Sequence, residues 1–306
     1  MTIGAFGRAA VGAAVHWSGA GRAFEMATRA AGAVILMYHS VARDEEAGFV
    51  EPANRIAPRH FERQMAFLRE RRRVVALSEL VEDLVRGRTP PAGTVCITFD
   101  DGYRDNLTVA APILEKYRLP ATLFLATGFA ERAENQWSDT LHAVADRSLH
   151  ARLLEASHDQ RLRLLDQFPA ARKAPRLMLD WDEARRLLRR YPLFEIGGHT
   201  RDHLDLTRHP GEARAQIDGC FADLRRELGV EPRHFSYPYG RWCAETRRAV
   251  MRAGWHSGVV TDAAPRIGPA TDRYAMSRVQ APRSMTQLAF RTSGAYPGAL
   301  ALLGLS

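Results

Sequence analysis

Long apolar runs are missing from this 306-residue chain. None approaches the roughly 18 uninterrupted apolar residues of a spanning helix. Cysteine is scarce: Cys96, Cys220 and Cys243 make an odd set with no C-x-x-C pair. That excludes a disulfide framework and a cysteine-rich zinc site. Lysine is nearly absent, with only Lys116 and Lys173, so the positive charge is arginine. Internal repeats and low-complexity tracts are also lacking, which excludes solenoids and arrays.

What is present reads as an ordinary globular protein, 46% hydrophobic and 25% charged. Its core is large enough to need no structural metal. The net charge of +8 invites a search for nucleic-acid motifs. No RNP-like, zinc-finger or helix-turn-helix signature occurs. The basic residues are interleaved with acids, as in Arg69-Glu70-Arg71-Arg72-Arg73. A solvated surface is therefore expected, and no nucleic-acid partner.

At the N-terminus, Phe6, Ala10, Ala13 and Trp17 recur at helical spacing. The spacing predicts one or two helices within residues 1–30, packed on the main domain or resting on a membrane surface. The run Ala9–Val15 is poorer in Leu, Ile and Phe than a secretory leader. The expected location is cytoplasmic, with peripheral membrane contact allowed, ahead of secretion.

From residue 33 onward, strand-like runs alternate with helical patterns. Val34–Tyr38, Val74–Leu77, Thr94–Phe99, Ala121–Ala126, Leu193–Ile196, Arg233–Tyr237, Gly258–Thr261 and Tyr274–Val279 read as strands. The helices between them fall at about Arg59–Arg72, from an N-cap at Ser78 to Arg86, Asp105–Tyr117 with a kink at Pro112, Trp181–Tyr191, Gly211–Leu228 and Ala244–Ala253. Asp180 and Glu183 form a capping signal before Trp181. Residues 131–180 are polar and lack strand signal; they read as an insertion over one end. The fold class is α/β. Such alternation argues for a parallel sheet with outer helices, and about seven strands suit a barrel better than an open doubly wound sheet. The main domain spans 31–290, leaving 291–306 as a tail.

Three motifs carry chemistry. Thr98-Phe99-Asp100-Asp101-Gly102 places two adjacent acids at the end of a buried strand. Burying both together is costly unless a cation or a proton compensates. Taken alone, Asp-Gly is also ordinary turn chemistry. His199-Thr200-Arg201-Asp202-His203 places two imidazoles four residues apart, again after a strand. Asp101, His199 and His203 together would offer one carboxylate and two imidazoles to a divalent metal and leave a position for water. Zn²⁺ suits that set first; Co²⁺, Ni²⁺ and Fe²⁺ also fit. Phe235-Ser236-Tyr237-Pro238-Tyr239-Gly240 predicts a stiff aromatic wall able to stack on a sugar and donate to an oxyanion, or else a structural Pro-Gly turn.

These motifs, in this order, resemble the polysaccharide deacetylase family, also called the NodB-homology or carbohydrate esterase 4 family. The resemblance covers about residues 33–280. It implies a deformed (β/α)7-type barrel of mainly parallel strands with outer helices. It implies Asp100 as general base, Asp101, His199 and His203 as metal ligands, and Tyr239 as an oxyanion donor through its backbone N–H. Two positions depart from the pattern. Ser236 stands where the family has a base-orienting arginine, and the late strand around Ala275–Arg278 lacks the family's acid histidine. Arg278 is the candidate to replace the first and His39 the second. The opening Leu36-Met37-Tyr38-His39-Ser40-Val41 resembles members whose motif order is permuted. Tyr237, Pro238 and Trp137 are the candidate substrate-binding residues.

The reading is a metal-dependent hydrolase that removes an N-acetyl group from an amino sugar. Two alternatives stand beside it: a deformylase or deacylase of a lipid-linked amino sugar, and a non-catalytic carbohydrate-binding barrel.

Overall fold

The computed structural model describes residues 31–45, 48–139, 147–168, 175–261 and 266–293. The predicted N-terminal helices within 1–30, and the tail beyond 293, lie outside them. Strand β1 (Ala33–Tyr38) and strand β3 (Thr94–Phe99) are buried at every residue. That is the signature of strands covered on both faces, and it explains their unbroken apolar runs.

Strands β1, β3, β4 (Ala121–Leu125), β5 (Phe194–Gly198), β6 (His234–Ser236), β7 (Ser257–Thr261) and β8 (Met276–Gln280) pair in parallel, in that order. Strand β8 returns to β1, so seven strands close a barrel. The two-residue β2 (Arg73–Val74) hangs on the outside of β3. The barrel is deformed at β5–β6, which share a single registered pair, Gly198 with Phe235. The open-sheet alternative is thereby excluded, because a strand lies on both sides of β1.

Helix α1 (Pro58–Arg71) buries Phe61, Met65 and Leu68. Helix α2 (Leu77–Val85) turns Leu77, Leu80, Val81 and Leu84 into one apolar cluster with Ile35, Cys96, Phe124, Val259 and Met276. Those strand residues alternate with outward-facing ones, so α2 plugs the barrel end opposite the strand C-termini. Helix α2 starts at Leu77, so the predicted strand over 74–77 is cut to β2. Ser78 is not its cap: Ala76 is, without a side-chain hydrogen bond. The Ser78 hydroxyl donates instead to Glu195.

The expected helix Asp105–Tyr117 divides. A π-turn over Asn106–Ala110 precedes helix α3 (Ala111–Tyr117), with Pro112 in its first turn. Pro112 has no N–H to donate, and the turn before it widens to an Ala111 N–H to Asn106 C=O bond. Helix α4 (Thr127–Arg132) follows β4. Helices α5 (Arg147–Glu155) and α6 (His158–Leu165) lie in the segment expected as an insertion; Leu149, Leu153 and Leu165 form a small core there with Trp137.

Helix α7 (Trp181–Arg190) carries the predicted capping box: Glu183 N–H donates to Asp180 Oδ1 at 2.9 Å. Helix α8 (Pro210–Leu228) ends on Gly229 in the left-handed region. Helices α9 (Ala244–Arg252) and α10 (Met285–Thr292) complete the ring, and α10 runs across residue 290. Among the described residues no helix is long and apolar enough to cross a membrane.

Candidate metal centre and active site

The site forms where β1, β3, β5, β6 and β8 end. Asp100 N–H still donates to Tyr38 C=O at 3.0 Å, so the ladder holds up to the first acid. The chain then enters the left-handed region at Asp101 (φ 75°) and Gly102 (φ 92°). A Cβ on Gly102 would sit 2.3 Å from Leu125 Cδ1, so only glycine fits this corner. The corner turns the Asp101 carboxylate across the barrel mouth towards β5.

Strand β5 ends in Gly198, whose Cβ position is taken by the Trp255 ring at 2.4 Å. His199 N–H donates to Leu125 C=O at 2.9 Å and continues the β4 pairing. Thr200 (φ 62°) and His203 (φ 49°) are both left-handed, a costly conformation for such side chains. The resulting loop swings the second imidazole back beside the first.

His199 Nε2 and His203 Nε2 lie 3.4 and 3.3 Å from the same oxygen, Asp101 Oδ1. The two rings stand 4.7 Å apart at 70°, and the candidate ligand atoms all lie within 4.8 Å of one another. Asp101 Oδ1 is buried without a hydrogen-bond partner. A buried, orphaned carboxylate oxygen facing two imidazole nitrogens is what a divalent cation satisfies. His199 Nδ1 lies 2.8 Å from Ser236 C=O, which holds that proton and leaves the Nε2 lone pair pointing inward. Gln136 lies 3.3 Å from His203 Nδ1, and ligation through Nε2 requires its amide oxygen on that side. The donor set fits a metal.

The electrostatics separate the two histidines. Burial pulls His203 down to about 3, so it is the neutral, ligand-ready form at neutral pH. Burial acts on His199 too, but Asp100 and Asp101 together outweigh it and raise His199.

Asp100 is held differently. Burial would raise its carboxyl, yet Arg278 and His199 drive it well below the usual carboxylate range. Arg278, 1% exposed on β8, donates from Nη1 to Oδ1 and from Nη2 to Oδ2, both at 2.6 Å. Its Nη2 also donates to Ser236 Oγ at 2.9 Å and its Nη1 to Thr98 Oγ1 at 3.2 Å. Arg278 thus pairs with Asp100 across the barrel, and Ser236 and Thr98 accept from the same guanidinium.

His39 follows β1, which fills the gap between β8 and β3. Asn106 Nδ2 donates to the His39 carbonyl at 2.8 Å, and the His39 Nδ1 is buried without a partner. Tyr239 adopts φ 59° and packs its ring 4.7 Å from that of His203.

The aromatic wall is smaller than expected. The Tyr237 ring is fully buried against Phe235, and Pro238 is buried too, so neither offers a face to a sugar. Both follow β6; Ser236 faces Asp100 and Arg278 inside the barrel, and alternation turns Phe235 and Tyr237 to the other side, into the layer packed beneath the helices. Trp137 is 4% exposed, under the Arg161 guanidinium. Of Tyr237, Pro238 and Tyr239, only Tyr239 is partly exposed.

Three partners escaped the sequence reading, Gln136, Asp105 and Asn106, while Asp139 was expected only as part of a lid or substrate-selecting surface with Trp137. Asp105 accepts from the Ser40 hydroxyl and, at 3.0 Å, from Val41 N–H. Asp139 accepts from the Tyr103 hydroxyl at 2.8 Å and is pushed up to about 8 by burial. Their signals were present as Asp105-Asn106 four residues past Asp101, and as the polar set around Trp137.

The sequence model of the polysaccharide deacetylase family matches residues 87–258. The chain belongs to the polysaccharide deacetylase family. The match begins after β1, so His39 lies outside it. Bacillus subtilis (strain 168) YxkH, whose name carries the same family description, is 26% identical over 270 residues, covering 86% of this chain and 75% of YxkH. Two solved structures share the fold with a TM-score of 0.63 and 21% identity: the Streptococcus pyogenes deacetylase PplD in complex with acetate, and IcaB from Ammonifex degensii. Each likeness covers 87% of this chain and 99% of the other. The deacetylase fold is therefore that of the whole barrel.

Proposed function

We propose that this deacetylase-family protein is a metal-dependent N-deacylase that hydrolyses the N-acetyl group of an amino sugar in a polysaccharide or glycoconjugate. The observation that carries the reading is the juxtaposition of two unlike carboxylates. Asp101 faces two imidazoles through an unpartnered oxygen, while its neighbour Asp100 is locked by Arg278. A sugar-binding barrel needs neither arrangement.

Asp101, His199 and His203 would hold a divalent cation, Zn²⁺ or another of the Co²⁺, Ni²⁺, Fe²⁺ group, which supplies a Lewis acid for the acyl carbonyl and acidifies a water. Asp100 accepts the proton of the attacking water. It stays ionised across the neutral range because Arg278 holds it so, and Arg278 and Ser236 fix which oxygen faces the water. The Tyr239 backbone N–H would donate to the oxygen that gains charge. His39 donates a proton to the departing amine. Water and amide give a short carboxylic acid and a free amine.

The test is acetate release from N-acetylglucosamine oligomers and from N-acyl glycoconjugates by chelator-treated protein, before and after each metal is restored. Release only on restoration supports the reading. Full activity in the rigorously metal-free protein removes it.

A further inference from the structure

Beside the candidate centre lies a cavity of about 320 Å³ at the ends of β1 and β8. His39 lines it, and so belongs both to the cavity and to the electrostatic surroundings of Asp100 and Asp101. The volume falls in the range of small-ligand sites. The remaining wall is unusual for this chain. Arg55, Arg283 and Arg291 contribute to it together with Asn54 and Gln280, and no aspartate or glutamate does.

Elsewhere the arginines are commonly neutralised: Arg104 by Glu183, Arg190 by Glu115, Arg201 by Asp223 and Arg247 by Asp272. Among the described residues, the three cavity arginines have no carboxylate partner. The rim is also fixed. Arg283 donates to Pro52 C=O, and Gln280 Nε2 donates to Ala53 C=O at 3.5 Å, so the segment before α1 and the segment after β8 are tied together. Backbone pairing of Ser40 with Arg55 holds the third side.

Three arginines lining one cavity, with no carboxylate among the lining residues, are balanced best by an anion. Guanidinium forks match the oxygens of phosphate and carboxylate. The amine product of deacylation is a cation and does not account for them; the small carboxylate product is an anion, but it leaves from the metal centre and needs no second site that spans three arginines. We propose that this cavity binds an oxyanion substituent, a phosphate or a carboxylate, carried by the amino-sugar substrate close to its N-acyl group. The enzyme would then act on an anionic glycoconjugate in preference to a neutral polymer. The substrate class rests on the deacylase reading; the anion site itself does not.

The experiment compares the metal-loaded wild type with Arg55→Gln, Arg291→Gln and the double variant. Acetate release is followed on neutral N-acetylglucosamine oligomers, on N-acetylglucosamine 1-phosphate and on hyaluronan oligosaccharides. Binding of N-acetylglucosamine 1-phosphate and of inorganic phosphate is measured by calorimetry at low and at raised salt. The wild type should favour one anionic substrate, and which one distinguishes phosphate from carboxylate. The double variant should raise KM on that substrate on the order of tenfold or more, with less than about twofold change on the neutral oligomer. Raised salt should weaken the wild type more than the variant. Equal use of neutral and anionic substrates, or equal loss on both in the variant, overturns the proposal while leaving the deacylase reading intact. Arginine-dependent phosphate binding without acetate release from any substrate keeps the anion site and removes the deacylase reading.

Discussion

Replacing Arg278 by Met tests the least visible part of the site. Asp100 is 3% exposed and receives two 2.6 Å charge-assisted bonds from Arg278. With the guanidinium gone, its remaining neighbours are Ser236 Oγ at 3.4 Å and His199 Nε2 at 4.0 Å. Breaking a buried pair by removing one partner costs about 3–5 kcal/mol, because the other charge is left uncompensated. The sign with pH follows. In the wild type the folded pKa of Asp100 lies below its unfolded value near 3.9. Its stabilising contribution is thus complete above that value and is lost only as pH falls through the folded pKa. Without Arg278, burial prevails and the folded pKa rises above the unfolded one. Stability then declines as pH increases from about 4, so the gap between wild type and variant widens towards neutrality. Urea unfolding at pH 4 and pH 7 measures it. Asp100→Asn in the Arg278→Met background should recover most of the lost stability and none of the activity, giving a coupling of about 2–4 kcal/mol. Additive, pH-independent losses would refute the buried-pair argument.

The metal assignment predicts a division among neighbours. Asp101→Ala, His199→Ala and His203→Ala should each lose most bound metal by elemental analysis, whereas Asp100→Asn should keep it and lose activity; equal metal loss in all four contradicts the roles. His39→Ala should retain metal and lose roughly 10²–10⁴-fold on an N-acetyl sugar, but much less on an activated aryl acetate, whose leaving group needs no proton. Equal loss on both substrates would leave the acid elsewhere. Asp139 keeps its proton in the folded state up to about 8, against about 3.9 unfolded, so it costs stability as pH rises between those values. In metal-free protein Asp139→Asn should flatten that decline in a pH series of thermal melts; an unchanged slope contradicts it.

The sequence by itself determined the repeat of buried strand and amphipathic helix, because each is a local pattern. Val34–Tyr38 and Thr94–Phe99 are apolar at every position, and strands buried on both faces must be. It also made the candidate triad legible, since Asp101 and His199 closely follow the ends of β3 and β5, which parallel strands bring to one rim, and His203 lies four residues past His199. The cap at Asp180 was legible for the same local reason.

Tertiary structure decided what depends on residues distant in the chain. Arg278 and Asp100 are 178 positions apart, and only barrel closure through β1 and β8 makes them partners. Tyr237 continues β6 into the core, whereas the left-handed turn at Tyr239 (φ 59°) brings that ring beside His203, which a string of tyrosines, proline and glycine does not specify. The same closure brought Arg55, from the segment before α1, against Arg283 and Arg291 after β8. Charge reads locally in a sequence, but whether a charge is paired is settled only by what folding places beside it.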